Sequence, residues 1–263
     1  MNYDIKIVPY AANSKAAKAL ALELDCKRLR VSGSLFNPIG GELIINMGNK
    51  NSYHPAFTAD NVVVLNRPEK IINKKELYNE NNQDTFKSAG IFLPESTTKY
   101  TVAREWKGKV YGRKLLNSHS GRGILIWDDG SDIDEDCPLY TKCVPSDREY
   151  RVHFFRIDGH IELFVQQKKR KKDFVNHNEE IRNFTGGWIY AIKDLDVPEC
   201  VNQQGIAIGK FLKQEFGAID ILYCEKEDKA TVLEVNSCPG LFSPTLKAWY
   251  VKNIKDFYYG KTE

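Results

Sequence analysis

The stretch Ala230-Thr-Val-Leu-Glu-Val-Asn-Ser-Cys-Pro-Gly-Leu241 ends an apolar run with an acid and an amide two residues apart. Side chains alternate along a strand, so Glu234 and Asn236 share one face while Val235 takes the other. Upstream lies a second strand pattern, Ala218-Ile-Asp-Ile-Leu-Tyr-Cys224, joined to the first by the polar connector Glu225-Lys-Glu-Asp-Lys229. An antiparallel hairpin centred on Glu227 sets Asp220 opposite Glu234. Opposed carboxylates, with Cβ atoms about 5 Å apart, destabilise a sheet unless something offsets them. Asp, Glu and Asn without His or Cys suit a hard cation, Mg²⁺ or Mn²⁺, which keeps several waters and shares its shell with substrate phosphates. A surface hairpin with polar outer residues is the alternative that these two strands leave open.

The 263 residues suffice for one large domain or two to three small ones, each with a core. With 42% hydrophobic and 28% charged residues the chain reads as globular, and a net charge of +3 is too small to indicate a nucleic-acid binder. No stretch approaches the ~18 apolar residues of a membrane span, and Met1 to Val8 carries no basic leader with an apolar core, so no membrane partner and a cytoplasmic location are expected. Cys26, Cys137, Cys143, Cys200, Cys224 and Cys238 show no CxxC spacing and no neighbouring His, which argues against a zinc site and predicts reduced thiols.

Residues 1–66 read as a small α/β unit with a parallel sheet: strands at Asp4–Tyr10, Cys26–Val31 and Leu43–Asn46, and a helix from Ser14, its cap, to Leu24. From Asn61 to Gly90 the pattern is polar and helical, with Pro68 near a helix start and asparagines at 79, 81 and 82 dividing it. From Thr98 to Val144 it turns to β, with strands at Val110–Leu116, Gly123–Trp127 and Cys137–Val144. The turn Asn117-Ser-His-Ser-Gly-Arg-Gly123 is made of small residues whose backbone N–H groups can approach an anion, and Lys114 on the strand before it can add a point charge. The loop lacks the Walker GK[ST] ending and no helix follows it, so it is neither a P-loop nor a Rossmann fingerprint; a purely structural turn is its alternative.

Glu149–Phe155 is a strand with Glu149, Arg151 and His153 on one face, and Asp158-Gly159 turns it back into His160–Gln167. The basic run Lys168-Lys-Arg-Lys-Lys172 reads either as a solvated segment, as a nucleic-acid patch or, because it continues a strand, as alternating cations aimed at a polyphosphate. His153 is expected in a hydrogen-bonded structural role, and His119 either contacts a phosphate or is simply exposed. Arg182-Asn183 precede Gly186-Gly187-Trp188, which sets a charge beside flexible backbone. Helices are expected from Pro198 to about Phe216 and from Pro244 to about Tyr259.

This order of features resembles the ATP-grasp superfamily of ATP-dependent carboxylate-amine ligases, nearest the branch with the ribosomal-protein glutamate ligase and similar enzymes often met in bacteriophage genomes. Lys114 with Gly121 and Gly123 looks like the family's phosphate lysine and flexible glycine loop, which here includes His119, Ser120 and Arg122. Leu139-Tyr140-Thr141-Lys142 leading into Glu149 and Arg151 is similar to its adenine-reading hinge and acid-x-Arg. Asp220 with Glu234-Val-Asn236 and the Pro239-Gly240-Leu241 ending matches its metal-binding strands, Arg182-Asn183 its element near the γ-phosphate, and Asn73-Lys74 its first nucleotide lysine.

The resemblance implies α/β and α+β architecture in an ATP-grasp fold: residues 1–66 as the pre-ATP-grasp domain, 67–144 as the lid subdomain and 145–263 as the C-terminal subdomain. It implies ATP with Mg²⁺ or Mn²⁺, and an amide formed through an acyl phosphate between small-molecule, peptide or protein carboxylates and amines, releasing ADP and phosphate. Lys114, Arg182 and one of Lys168 or Arg170 would then offset charge on the transferred group, and a phage protein would work in the host cytoplasm. The alternative is a nucleotide-binding protein without ligase chemistry, or a nucleic-acid-associated one using residues 168–172.

Overall fold

The computed structural model describes residues 4–72, 74–116 and 121–259, apart from the side chains at positions 74, 75, 80, 81 and 259. The first sheet has the order β2-β1-β3-β4, from β1 (Ile5–Pro9), β2 (Lys27–Arg28), β3 (Leu43–Met47) and β4 (Val63–Leu65); its central strands β1 and β3 are buried on both faces, and β2 is an exposed edge. All of its pairings are parallel, as strands alternating with helices require. Helix α1 (Lys15–Glu23) is capped by Ser14, whose Oγ accepts from Ala17 N at 3.3 Å; α2 (Pro55–Thr58) is capped by His54. The strand β4 was not expected, because helix was assigned from Asn61 onward. Val63, Val64 and Leu65 pair instead with Leu43, Ile44 and Ile45, and tertiary pairing of β-branched residues overrides the polar flanks.

Asn66, in the left-handed region at φ 57°, fastens this sheet to the next. Its N–H donates to Glu215 Oε2 at 2.6 Å and its amide nitrogen to the Phe216 carbonyl at 2.9 Å. Its side-chain oxygen accepts from Glu215 N at 2.7 Å and Phe216 N at 3.1 Å, all in a buried setting.

The polar segment divides, at Tyr78-Asn79, into α3 (Lys74–Leu77) and α4 (Glu80–Ser88). Leu77, Tyr78, Phe86 and Ile91 enter the core beneath the central sheet, with Tyr150, Val152, Ile219 and Val232, and Tyr78 OH donates to the Leu233 carbonyl at 2.6 Å. Residues 74–91 thus contribute side chains to the core beneath the central sheet. The lid sheet is formed by β5 (Ser96–Thr97), β6 (Val110–Arg113), β7 (Ile124–Trp127) and β8 (Tyr140–Lys142), ordered β5-β8-β6-β7, with α5 (Tyr100–Arg104) against it. Its own small core gathers Ala103, Trp106, Val110 and Tyr140.

The central antiparallel sheet has the order β11-β10-β9-β12-β13, from β9 (Arg148–Ile157), β10 (His160–Arg170), β11 (Trp188–Ala191), β12 (Phe216–Cys224) and β13 (Lys229–Asn236). Asp158 and Gly159 carry φ of 48° and 82°, the double positive φ of a tight hairpin turn. Helix α6 (Glu199–Phe211) stops short of the expected Phe216, because the Glu215 and Phe216 N–H groups are bound by Asn66 and are lost to a helix. Helix α7 (Pro244–Tyr259) has the expected span and packs Leu246, Tyr250 and Ile254 with Ile7, Leu20 and Leu43. The cysteines are unpaired, and among the described residues no helix is long and apolar enough to cross a membrane.

Candidate active site

The hairpin of β12 and β13 pairs Cys224 with Lys229 and continues without offset to Ile221 with Val232. Carried on in that register, Asp220 would face Leu233. A bulge intervenes, and from there Asp220 pairs with Glu234, Ile219 with Val235 and Ala218 with Asn236. The carboxylate pair is thus as expected, but the route is not: the turn is centred half a residue earlier than Glu227, and Leu233 is the extra residue that restores the alignment.

The neighbouring strand supplies what opposed carboxylates need. Arg151 on β9 lies directly across from Asp220, and its Nε and Nη2 donate to Asp220 Oδ1 and Oδ2, both at 2.7 Å. Burial alone would push the Asp220 carboxyl up, but the Arg151 guanidinium, assisted by Lys168, outweighs it and holds Asp220 below the usual carboxylate range. The Lys168 ammonium pairs with Glu149; burial nevertheless raises the Glu149 carboxyl above its ordinary value. Tyr190 on β11 lies beneath both cations, its ring centre 4.7 Å from the Arg151 guanidinium carbon and 5.7 Å from Lys168 Nζ. Beyond them on the same face, His153 is buried between the Tyr250 hydroxyl and Gln166 Oε1, each 3.0 Å away, and burial lowers it to about 4, so it stays neutral and structural at physiological pH.

Glu149, Arg151, Lys168, Tyr190, Asp220, Glu234 and Asn236 line one wall of a cleft of about 710 Å³ between the central and lid sheets. The Asn236 amide nitrogen is buried there without a hydrogen-bond partner, an orphan that a ligand at this position would satisfy. Among the described residues no three His, Cys, Asp or Glu side chains gather as a metal cluster. A cation at this wall would therefore have two carboxylates and an amide, an all-oxygen set that suits Mg²⁺ with water and phosphate in its other positions.

The opposite wall comes from the lid. Alternation on β6 points Tyr111 and Arg113 into the cleft, with Lys109 just before them. Gly112 faces away, where an added Cβ would lie 2.5 Å from Trp127. Lys114 also faces away and pairs with Glu135, so the cation brought to the cleft is Arg113, one residue earlier than expected. The Arg113 Nε is buried and unpartnered. Thr141 and Lys142 line the cleft and continue into Cys143 and Val144, whereas Leu139 is buried in the core beneath the central sheet and Tyr140 in the lid core, the Tyr140 hydroxyl accepting from Cys137 N at 2.6 Å. Of the glycine turn, Gly121 at φ 76° borders the cleft; Gly123 at φ 72° turns against Leu115, and Arg122 is exposed outside the lining. His119 and Ser120 lie outside the described residues, as does the side chain of Lys74.

A strap of residues 178–187 spans the two walls. Glu180 binds Lys109, and the Tyr111 hydroxyl at 2.7 Å; those two donors hold its carboxyl below the usual range. Ile181 packs so closely on Gly121 that a Cβ there would lie 2.4 Å from Ile181 Cγ2. Arg182 stacks 5.2 Å over Trp188 and donates to the Ser146 carbonyl at 3.3 Å, facing the cleft beside Asn183. Lys168 and Arg170 share one face of β10, and the strand's end separates them: Lys168 lies in the cleft, while Arg170, the last residue of the strand, is exposed, pairs with Glu179 at 2.9 Å and is not part of the lining.

No family model and no curated protein matches this sequence. Solved structures do: the VanG D-Ala:D-Ser ligase from Enterococcus faecalis superposes with a TM-score of 0.66 at 13% identity, over 98% of this chain and 100% of that one. The fold is that of the ATP-grasp ligases. Two further ATP-grasp structures agree. A RimK domain protein from Sphaerobacter thermophilus gives a TM-score of 0.61 at 12% identity, over 97% of this chain and 98% of its own. The ATP-grasp ligase PsnB, solved with a minimal precursor, Mg and ADP, gives 0.64 at 12% identity, over 98% and 99%. Arg113, Tyr190 and the Glu180 strap escaped the sequence reading. Which parity of β6 faces the cleft is set by its pairing between β7 and β8, and nothing local in the sequence marks the other two.

Proposed function

We propose that this chain is an ATP-dependent ligase that joins a carboxylate to an amine. The observation that carries the reading is the alignment of Asp220, Glu234 and Asn236 beside Arg151 and Lys168, at one wall of a cleft that the ATP-grasp fold places between its lid and central sheets. The substrate carboxylate oxygen attacks the γ-phosphorus, the bond to the β,γ-bridging oxygen breaks and ADP leaves. The amine nitrogen then attacks the acyl carbon, and phosphate departs as the nitrogen loses its proton. Neither step needs a protein nucleophile; both need charge neutralisation and alignment.

In this reading Asp220, Glu234 and Asn236 hold Mg²⁺ or Mn²⁺, which when bound offsets phosphate charge. Arg151 fixes Asp220, while Lys168 and Arg182 face the transferred group. Arg113 takes the phosphate contact expected of Lys114, and Thr141 to Val144 border the base. Gly121, drawn against Ile181, closes the glycine turn and limits hydrolysis of the acyl phosphate. Lys74, His119 and Ser120 belong to the same proposed nucleotide set. Full-length protein incubated with Mg-ATP and mixed amino acids and peptides is expected to release ADP and phosphate. Release of AMP and pyrophosphate would refute the acyl-phosphate route.

A further inference from the structure

The geometry points to a substrate subsite at the phosphate end of the cleft for a carboxylate bearing an aromatic or large apolar side group, free or at the end of a peptide. This inference rests on the ligase reading above and adds the substrate's chemical class. Phe184 and Phe242 both line the cleft and are 75% and 77% exposed, so two large apolar rings are offered to whatever enters it. Phe242 follows Asn236 by six residues and Phe184 follows Arg182 by two, so both belong to the segments that carry the phosphate-facing groups, away from Thr141 to Val144. The absent side chain of Gly240 makes room for the Phe242 ring: a Cβ there would lie 2.1 Å from Phe242 Cε2. A third exposed ring, Tyr10, adjoins the same turn, since Tyr10 and Cys238 both crowd Gly48 at the end of β3.

Charge selects the same class. Arg182 makes no salt bridge among the described residues, and its guanidinium carbon lies over the Trp188 ring on the cleft side, where it can receive one carboxylate. Glu179 and Glu180 precede it on the strap, line the same cleft and engage Arg170 and Lys109, so those two cations are not offered to an acidic side group. An apolar side group meets Phe184 and Phe242.

The test uses the full chain with Mg-ATP and hydroxylamine, which displaces phosphate from an acyl phosphate to give a hydroxamate. The carboxylate probes are N-acetyl-L-phenylalanine, N-acetyl-L-leucine, N-acetyl-L-alanine and N-acetyl-L-glutamate. Expected is a kcat/KM for the phenylalanine and leucine probes about tenfold above the other two, the scale of a well-packed ring contact. Phe184→Ala and Phe242→Ala should each lower it about fivefold with the KM for ATP unchanged, while Phe242→Leu retains most of it. Calorimetric binding of N-acetyl-L-phenylalanine with Mg²⁺ and a non-hydrolysable ATP analogue reads the subsite without turnover. A preference for the glutamate probe, or equal loss for all four probes in the alanine variants, overturns the inference and leaves the ligase reading intact. Binding that depends on Phe242 without hydroxamate from any probe supports the subsite and overturns the ligase reading. Absence of both binding and hydroxamate overturns both.

Discussion

Replacing Arg151 with Met removes the guanidinium and keeps most of the side-chain volume, so it isolates the charge. Arg151 and Asp220 are only 16% and 9% exposed in their side chains, and two 2.7 Å bonds join them. Solvent screening is therefore slight, and stripping one partner from such a pair costs about 3–5 kcal/mol. Asp220 would then face Glu234 across the bulge with its main counter-charge gone. At this chain length, with about 2–4 °C lost per kcal/mol, the melting temperature should fall on the order of 10 °C at pH 7. The pH dependence fixes the cause. In the parent, the depressed Asp220 contributes stability that is present above the unfolded value of about 3.9 and is lost as pH falls through its folded value. In the variant burial dominates and raises Asp220, so a penalty grows as pH rises above about 3.9. The deficit should therefore be largest at pH 7 and shrink toward pH 4, and adding Asp220→Asn should recover most of it. Urea melts at both pH values measure this. A deficit under about 1 kcal/mol at pH 7, or one that does not change with pH, would refute the reasoning.

Three further outcomes are expected. Glu234→Gln should lower Mg-dependent ADP release at least about 100-fold while leaving the melting temperature nearly unchanged, as checked by coupled assay and circular dichroism; near-normal turnover would exclude Glu234 from the site. Gly121→Ala places a Cβ at φ 76° and 2.4 Å from Ile181 Cγ2, so strain of about 1–2 kcal/mol plus overpacking of about 1–3 kcal/mol should raise the KM for ATP, and Ile181→Ala should restore part of it in a double-mutant cycle. His153 is lowered to about 4, so the folded state refuses a proton that the unfolded chain binds from about pH 6.5; wild type should lose about 3 kcal/mol more than His153→Gln between pH 7 and pH 4, and parallel urea curves would disprove this.

What was legible in the sequence was local and periodic. The Ser14 cap, the Asp158-Gly159 turn, the span of α7 and the two faces of β9 follow from residue type and spacing alone. The Asp220 and Glu234 pairing was legible only in outcome, since a bulge at Leu233 depends on packing that spacing does not encode. The end of α6 was misplaced because the partner that claims the Glu215 and Phe216 N–H groups lies about 150 residues upstream. Lys114 was favoured over Arg113 by motif position, and only the pairing of β6 between β7 and β8 sets which parity faces the cleft. Tyr190 serves two cations on two other strands, so no window of sequence around it contains the reason for its place.

The join at Asn66 bears on how the chain could be recombined. A foreign first sheet grafted ahead of residue 67 would dock only if its last residue accepted a left-handed backbone and offered an amide, because a carboxylate lacks the donor for the Phe216 carbonyl and glycine lacks both groups. Chimeras cut at this boundary should therefore sort by a single position. Exchanges that keep asparagine there carry the new sheet at the original spacing from the cleft, and those that change it release the graft as a tethered neighbour.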